Sequence, residues 1–421
     1  MKWAITLIGL LTLPLLFNLA PLEVMRLKTF DALVTTPEPT GYFSILNIDE
    51  QFLDDQGGYP LPRETLAKIH KDIIDAGALG VGWVMLFPHP DRMGGDDEFS
   101  IQLANSPSVI AMPEISNGLY PPTVGTVIKG PIVSLPKAQG FLQNIDVLKE
   151  SANQGAISAP VDVDNLVRRI PLLQQTNNGW VASFGTEVLK ILGGGRTYQI
   201  VTNLNGIEQV RVRGIPPIAT DSLGRKWISW VDTPQTDLAE MDVENKFVFV
   251  GFTAKGIMPQ IAVPNNKLLE PHKIQAALAE SILIQDSPYI PDWSLAAELL
   301  ILVITVTFVW LCINIFGMTT GITLTSLLFF STIFFGHWFI QRGILIDVTW
   351  TLISQFITGS TAFYLRFREQ YKLRQQIKKQ FGKYLDPRMV KKLQDNPELC
   401  KVNGNRVDCS IIFTDLRGFT S

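Results

Sequence analysis

Cysteine is scarce in this chain: 421 residues carry three, Cys312, Cys400 and Cys409. None lies between residues 21 and 297, so that long stretch cannot rest on disulfides and needs an ordinary apolar core. Charge of one sign is lacking as well. Thirty-six Lys and Arg stand against 39 Asp and Glu, a net charge of −3, which speaks against a nucleic acid or other polyanion as partner of the whole chain. A regular metal-ligand spacing is also missing. His89, Asp91, Asp96 and Asp97 are near one another in sequence but read as loop acids. Gly193-Gly-Gly195 reads as a turn, without the fingerprint of a dinucleotide loop.

Long uncharged runs are what the chain does have. After Lys2, residues 3–20 carry no charge, enough to cross a bilayer at about 1.5 Å per residue. A cleavable signal peptide is the other reading, but Leu19 and Pro21 fit a cleavage site poorly. Three further runs follow between residues 298 and 365: Leu299 to Phe316, Ile322 to Ile340, and Ile344 to Leu365, the last with Asp347 near its start. Arg366, Arg368, Lys372, Arg374, Lys378, Lys379 and Lys383 then crowd the exit, which marks the cytoplasmic side. Counting back predicts four transmembrane helices, with residues 21–297 outside the cytoplasm and Asp347 near the outer interface. A proton-relay role for Asp347 is the functional alternative to a solvated carboxylate there.

Within 21–297, strand and helix patterns alternate. Phe43 to Ile48, Leu79 to Met85, Ser108 to Met112 and Lys246 to Gly251 read as strands. Pro62 to Thr65 opens an amphipathic helix with Leu66, Ile69 and Ile73 on one face, and Pro271 to Gln285 reads as another. The alternation predicts an α/β sheet with parallel members. Asp49 and Glu50, where a strand gives way to a loop, are the weak candidates for binding a sensed ligand; a solvated turn with an acidic cap is the plainer reading.

Several stretches resemble the CHASE2 domain, an extracytoplasmic sensory module of bacterial signalling proteins. They are Ser44 to Asp49, Ile73 to Ala78, Gly80 to Phe87 with Pro90-Asp91, Asp162 to Arg168 with Pro171-Leu172, Phe247 to Ala254, and Pro271-His272 leading into Ala276 to Ile282. Their order and spacing carry the resemblance, while residues 55–60 and 91–96 depart from it. Gly94-Gly-Asp-Asp-Glu-Phe99 resembles the GGDEF signature of diguanylate cyclases, but an extra aspartate breaks the motif and it is set aside.

After the spans, Phe367, Arg374 and Phe381 lie seven apart, as do Gln370, Ile377 and Tyr384. This is a polar-interrupted heptad seam, equally readable as a coiled coil or as a basic helix facing anionic lipid. Phe381 to Pro387, Asn396 to Glu398 and Phe413 to Thr420 then resemble the entry to class III adenylate and guanylate cyclase domains. That resemblance implies Asp415 as the first of two metal-binding aspartates, with the Leu416 carbonyl as a further ligand of Mg²⁺ or Mn²⁺. It also implies that the amides of Gly418, Phe419 and Thr420 face the nucleotide phosphates. The second metal aspartate and the base-reading residues would lie beyond Ser421, so the chain as it stands is expected to be inactive alone.

The expectation is therefore an α/β extracytoplasmic sensor, four transmembrane helices and the start of an α+β cyclase domain in a bacterial inner membrane. Its parts are an N-terminal span (1–20), a CHASE2-like domain (21–297), three spans (298–365), a linker helix region (366–405) and the truncated catalytic start (406–421). The implied parent is a homodimer making a cyclic nucleotide and pyrophosphate from ATP or GTP, under an unknown extracytoplasmic ligand. A non-catalytic receptor acting through partner binding is the alternative. A histidine kinase is disfavoured because residues 366–421 contain no histidine.

Overall fold

The computed structural model describes residues 2–17, 19–284, 287–381, 410 and 412. Asp415, Leu416, Gly418, Phe419 and Thr420, expected to open a catalytic domain, lie outside the described residues. The chain starts with α1 (Lys2–Leu16), α2 (Ala20–Leu33), β1 (Phe43–Ile48), α3 (Arg63–Asp75), β2 (Gly80–Trp83), α4 (Asp96–Ala104) and β3 (Ser108–Met112). It continues through β4 (Gly125–Lys129), β5 (Asn153–Ala156), α5 (Phe184–Leu192), β6 (Thr197–Asn203), β7 (Gly206–Val212), β8 (Ile218–Ala219), β9 (Gln235–Thr236) and β10 (Phe247–Phe252). Last come α6 (Pro271–Leu283), α7 (Ser294–Ile315), α8 (Met318–Ile340) and α9 (Thr349–Phe381).

Six strands form a parallel sheet in the order β9-β1-β10-β2-β3-β5. Side chains alternate across a strand, and the alternation sorts β10 cleanly. Phe247 and Phe249 enter one core with Phe43, Ile45, Phe184 of α5 and Ile274 and Leu278 of α6. Val248, Val250 and Phe252 enter the other with Leu66, Ile69 and Ile73 of α3 and Phe99 and Leu103 of α4. A sheet covered on both faces needs apolar residues at every position, which is why β10 reads as an unbroken apolar run. Helix α3 stops where Gly77 takes φ +93°, a conformation that glycine adopts without steric cost. A second sheet, β8-β7-β6-β4, has β4 parallel to β6 and its other pairs antiparallel; sequence alone did not resolve it.

Helices Ser294–Ile315 and Met318–Gln341 are long and apolar enough to cross a membrane, and α1 with α2 would add a third only as a pair bent by 77°. The first uncharged run therefore ends as a helix at Leu16, and the chain turns into α2 rather than directly into the sensor. The run expected at 344–365 also takes another form. Residues 344–348 are not helical, and α9 begins at Thr349. Its Thr351, Ser354, Gln355 and Thr358 are buried, with Gln355 Nε2 donating to Thr332 Oγ1 of α8 at 3.0 Å. Polar residues turned into the bundle lower the apolar content of this helix while leaving it packed. The linker before α7 meets the loop after α8: Tyr289 N donates to the Gly343 carbonyl at 2.9 Å and Leu345 N to the Tyr289 carbonyl at 3.0 Å. Both of these helix ends therefore lie on the sensor side.

The described chain divides into two compact units, residues 1–358 and 359–421. In the second, Tyr364, Phe367, Tyr371, Leu373 and Ile377 are exposed on α9, and the rings of Phe367 and Tyr371 stack with centroids 6.4 Å apart.

One close approach sets the distance between α6 and the sheet. A Cβ built on Gly251 would lie 2.3 Å from Cγ and Nδ1 of the His272 ring. Gly251→Ala is expected to destabilise the fold by about 1–3 kcal/mol, the usual cost of overpacking. Thermal unfolding in detergent checks this; an unchanged melting temperature would show that His272 is free to move aside.

Candidate sensory edge and transmission site

Parallel strands end together, so the carboxyl edge of the sheet is where ligand groups gather in α/β folds. Asp49 sits there at the end of β1, but its Oδ1 accepts from the Phe52 amide at 2.8 Å and caps the short helix Glu50–Asp55. This geometry matches the acidic-cap reading of Asp49. Glu50 is exposed in the first turn of that helix. Next to them, His272 Nε2 is 2.9 Å from Asn47 Oδ1, and Asn47 Nδ2 donates to Gln235 Oε1 at 2.7 Å. Burial drives the His272 pKa down to about 3, with the Lys273 charge adding to the effect. The ring is therefore neutral and donates through Nε2 to the asparagine oxygen.

A cleft of about 580 Å³ opens at the ends of β3 and β5, lined by Pro113, Glu114, Gln139, Ser158, Gln174 and Pro259 among others. Glu114 accepts there from the Gln139 amide at 3.2 Å and from Gln174 Nε2 at 3.4 Å. Sequence reading missed this cleft because its walls come from loops with no common motif.

Asp91 lies in the loop after β2, while Asp96 and Asp97, expected in a loop, form the first turn of α4, where acids favour the helix N-terminus. Asp91 accepts from the Arg63 amide at 2.6 Å, and Asp96 accepts from the Asp91 amide at 2.8 Å. The Arg63 guanidinium lies 4.4 Å from the Phe87 ring centre and 3.5 Å from Asp96. His89 is exposed and joins none of these contacts. Among the described residues, no group of three or more His, Cys, Asp or Glu is placed to hold a metal ion.

The densest charged site lies instead where the sensor meets α2. Arg168 has no solvent exposure. Its Nε and Nη2 donate to the two oxygens of Asp31 on α2 at 2.8 and 2.7 Å. Its Nη1 and Nη2 donate to the two oxygens of Asp164, both at 2.8 Å, and Nη1 reaches Asp162 at 3.3 Å. Asp162 is shared with Arg169, which lies 3.7 Å from Asp221, and Asp221 in turn binds Arg225 at 2.8 Å. Burial works against the Arg168 charge, but hydrogen bonds from Asp164 and Asp31 outweigh it and hold its pKa above the ordinary value. The same hydrogen bond holds the Asp164 carboxyl below its ordinary value. The segment Asp162 to Arg168, quoted above only as a matching stretch, thus supplies a two-forked clamp.

Contacts above and below the clamp extend it. Phe30 of α2 meets Trp227 edge-on, centroids 6.0 Å apart, inside a cluster with Leu27, Ile340 and Leu345. One turn earlier, Arg26 reaches Glu298 of α7 at 3.3 Å, and the same Glu298 oxygen accepts from the Asp347 amide at 2.9 Å. Thr29 and Thr349 hydroxyls are 3.1 Å apart. Helix α2 is therefore bonded to the sensor on one side and to the starts of α7 and α9 on the other. Asp347 is buried in this contact, not solvated as the interface reading expected.

Removing one partner of a buried ion pair leaves the other uncompensated and costs about 3–5 kcal/mol. Arg168→Gln is therefore expected to lower the unfolding temperature far more than Arg225→Gln, whose side chain is partly exposed. Differential scanning fluorimetry of both variants checks the order. A depressed carboxylate pKa stabilises above its unfolded value near 3.9 and loses that contribution as pH falls through the folded value. Asp164 should thus keep the clamp intact from neutral pH down to about 4. Protection of the α2 amides in hydrogen exchange is expected to fall only below that range.

Comparison with protein families gives one match: the family described as the CHASE2 domain covers residues 4–314. The match takes in most of α1, the whole sensor and nearly all of α7, wider at both ends than the 21–297 expected. Searches of curated proteins and of solved structures found no match. With most of its length under one family, and with strands, clamp and α2 in the order set out above, the chain belongs to the CHASE2 domain family.

Proposed function

We propose that this chain is the sensing and membrane part of a receptor-type class III nucleotide cyclase, with α2 passing the signal from sensor to spans. The observation that carries the transmission half is the double attachment of α2: Asp31 to the buried Arg168, and Arg26 to Glu298. A ligand that alters the sensor must move or reorganise α2, and α2 cannot move without acting on α7. Ligand-driven change of this kind requires two arrangements that the ligand binds unequally. A helix bonded at Asp31 to the sensor and at Arg26 to a membrane helix is an element that could take two such arrangements.

In this reading the sensor faces away from the cytoplasm and the basic residues 366–383 mark the cytoplasmic side. The spans are α1, α7, α8 and the first half of α9. The second half of α9 then carries movement toward residues 381–420, whose likeness to a cyclase entry supports the catalytic half of the proposal. Asp415 and the Leu416 carbonyl would hold Mg²⁺ or Mn²⁺, and the amides of Gly418, Phe419 and Thr420 the triphosphate of ATP or GTP. Bound divalent cations lower the charge on the attacking ribose 3′-oxygen and on the departing pyrophosphate. The parent would act as a homodimer in the bacterial inner membrane.

The test uses a parent protein that carries a complete catalytic domain. It should form cyclic AMP or cyclic GMP in membranes with Mg²⁺ or Mn²⁺, and Asp415→Ala should reduce this to background. Asp31→Asn should leave catalysis by the cyclase domain intact while shifting its basal rate in the full-length protein. No cyclic nucleotide under any metal would favour a receptor acting through partner binding, and an unchanged basal rate in Asp31→Asn would remove α2 from the signal path.

A further inference from the structure

Two of the most exposed apolar side chains in the sensor are Leu204 and Ile132, 91% and 90% accessible. Leu204 stands at the tip of the β6–β7 hairpin, between Asn203 and Gly206, which pair with each other. The turn does not need a leucine. Asn203 Oδ1 accepts from the Asn205 amide at 2.8 Å and closes it, and hairpin tips of this kind favour Asn, Asp and Gly. Ile132 lies on the adjoining loop. Strands β4 and β6 run parallel, so their carboxyl ends come out together, and the Thr202 hydroxyl donates to the Pro131 carbonyl at 2.6 Å. Two neighbouring tips thus carry large apolar groups that neither turn requires.

Their position says what would cover them. Asn203 Nδ2 donates to Asp292 Oδ2 at 2.8 Å. Asp292 precedes Trp293, the N-cap of α7, and α7 is one of the two helices apolar enough to span a bilayer. Trp293 is itself half exposed, as are Leu295 and Leu300 on the helix below it. At the corresponding end of α8, Arg342 lies over the Trp338 ring at 4.0 Å, and Trp350 opens α9. Trp293 at the head of α7 and Trp338 near the sensor-side end of α8 are partly exposed, and exposed tryptophan at the end of a span is a mark of the membrane–water interface. The Leu204 tip is bonded to the head of α7 through Asn203 and Asp292, and the Ile132 loop is joined to that hairpin through Thr202. Lys129, exposed at the end of β4, sets an ammonium beside them where lipid phosphates would lie.

We propose that Ile132 and Leu204 insert into the outer face of the bilayer, so that the sensor rests on the lipid surface beside its own spans. The proposal depends on the spans lying in a membrane. Side chains of this kind enter to about 5–10 Å, the boundary of headgroups and acyl chains. The consequence is a third support for the sensor besides α2 and the 287–293 linker, and one that responds to lipid packing. The same chain would then register the state of the membrane together with any soluble ligand.

The experiment uses the full chain in nanodiscs of phosphatidylethanolamine and phosphatidylglycerol, with Cys312, Cys400 and Cys409 replaced by alanine. Single cysteines are placed by Ile132→Cys, Leu204→Cys, Leu300→Cys and Asp97→Cys, each at an exposed position, and spin-labelled. Collision rates with oxygen, which concentrates in lipid, and with a water-soluble nickel chelate are then measured. Labels at 132 and 204 are expected to match 300, with oxygen favoured, while 97 favours nickel. If 132 and 204 behave like 97 while 300 stays lipid-exposed, the insertion is wrong and the spans stand. If 300 also favours nickel, the membrane reading itself fails. Shielding of 132 and 204 from both reagents, with short label-to-label distances, would place a second copy of the chain on these tips and overturn the proposal.

Discussion

A guanidinium with no access to water can stay charged only if carboxylates surround it, and Arg168 has three within reach. Two of them, Asp31 and Asp164, take it in paired bonds at 2.7–2.8 Å. That geometry leaves little freedom, because a fork-to-fork pair fixes orientation as well as distance. Asp31 belongs to α2 and Asp164 to the sensor, so the pair sets the position of α2 on the domain. With Asp31 in place, Phe30 falls against Trp227, and Arg26, a turn and a half earlier, comes up beneath α7. The order of charged residues along one short helix thus locates the spans with respect to the sheet.

The parts of this arrangement that show in the sequence are those with a single physical demand. Strand β10 is buried on both faces and so reads as an uninterrupted apolar run. Helix α3 buries one face, so Leu66, Ile69 and Ile73 fall at helical spacing. Helix α2 has no such signature. Its Glu23, Arg26 and Asp31 look like a solvated surface, yet Arg26 and Asp31 point at partners 272 and 137 residues away. Pairing over such separations leaves no local periodicity to read. The second sheet was hidden for a related reason: its β4 is mostly exposed, so the alternation that marks a half-buried strand is missing.

Individual site residues divide the same way. Asp49 was legible as the last residue before a loop, and the 2.8 Å bond from the Phe52 amide shows that it caps the short helix that follows. Of the acids near His89 that read as loop acids, Asp91 lies in the loop and accepts from the Arg63 amide, whereas Asp96 and Asp97 open α4, because acids suit the first turn of a helix. Asp162, Asp164 and Arg168 were visible as a group, though no rule of spacing says that an acid from residue 31 completes it. Buried charge is hard to foresee because its partners are set by the tertiary fold. Two acids and an arginine within seven residues, Asp162, Asp164 and Arg168, were the available signal.

The bond strengths also say where movement would occur. Arg168 grips Asp31 through two short bonds inside the protein, whereas Arg26 meets Glu298 through one contact at 3.3 Å. Breaking the first exposes a buried charge to an uncompensated site; loosening the second leaves Glu298 still bonded to the Asp347 amide. In the proposed transmission, α2 would stay with the sensor and slip against α7. Helix α1 is held to α7 by Leu11 and Leu15 against Leu302 and Val306. Trp350 also donates to the Leu11 carbonyl at 2.8 Å, which binds α9 to the same helix. A sensor that tilts would then carry α2 as a lever on α7 and the α8–α9 loop, while α1 keeps the bundle registered. Paired bonds from Arg168 tie Asp31 to the sensor, while Arg26, the Thr29–Thr349 contact and the packing of Leu27 and Phe30 on Ile340 and Leu345 tie the same helix to the helical block.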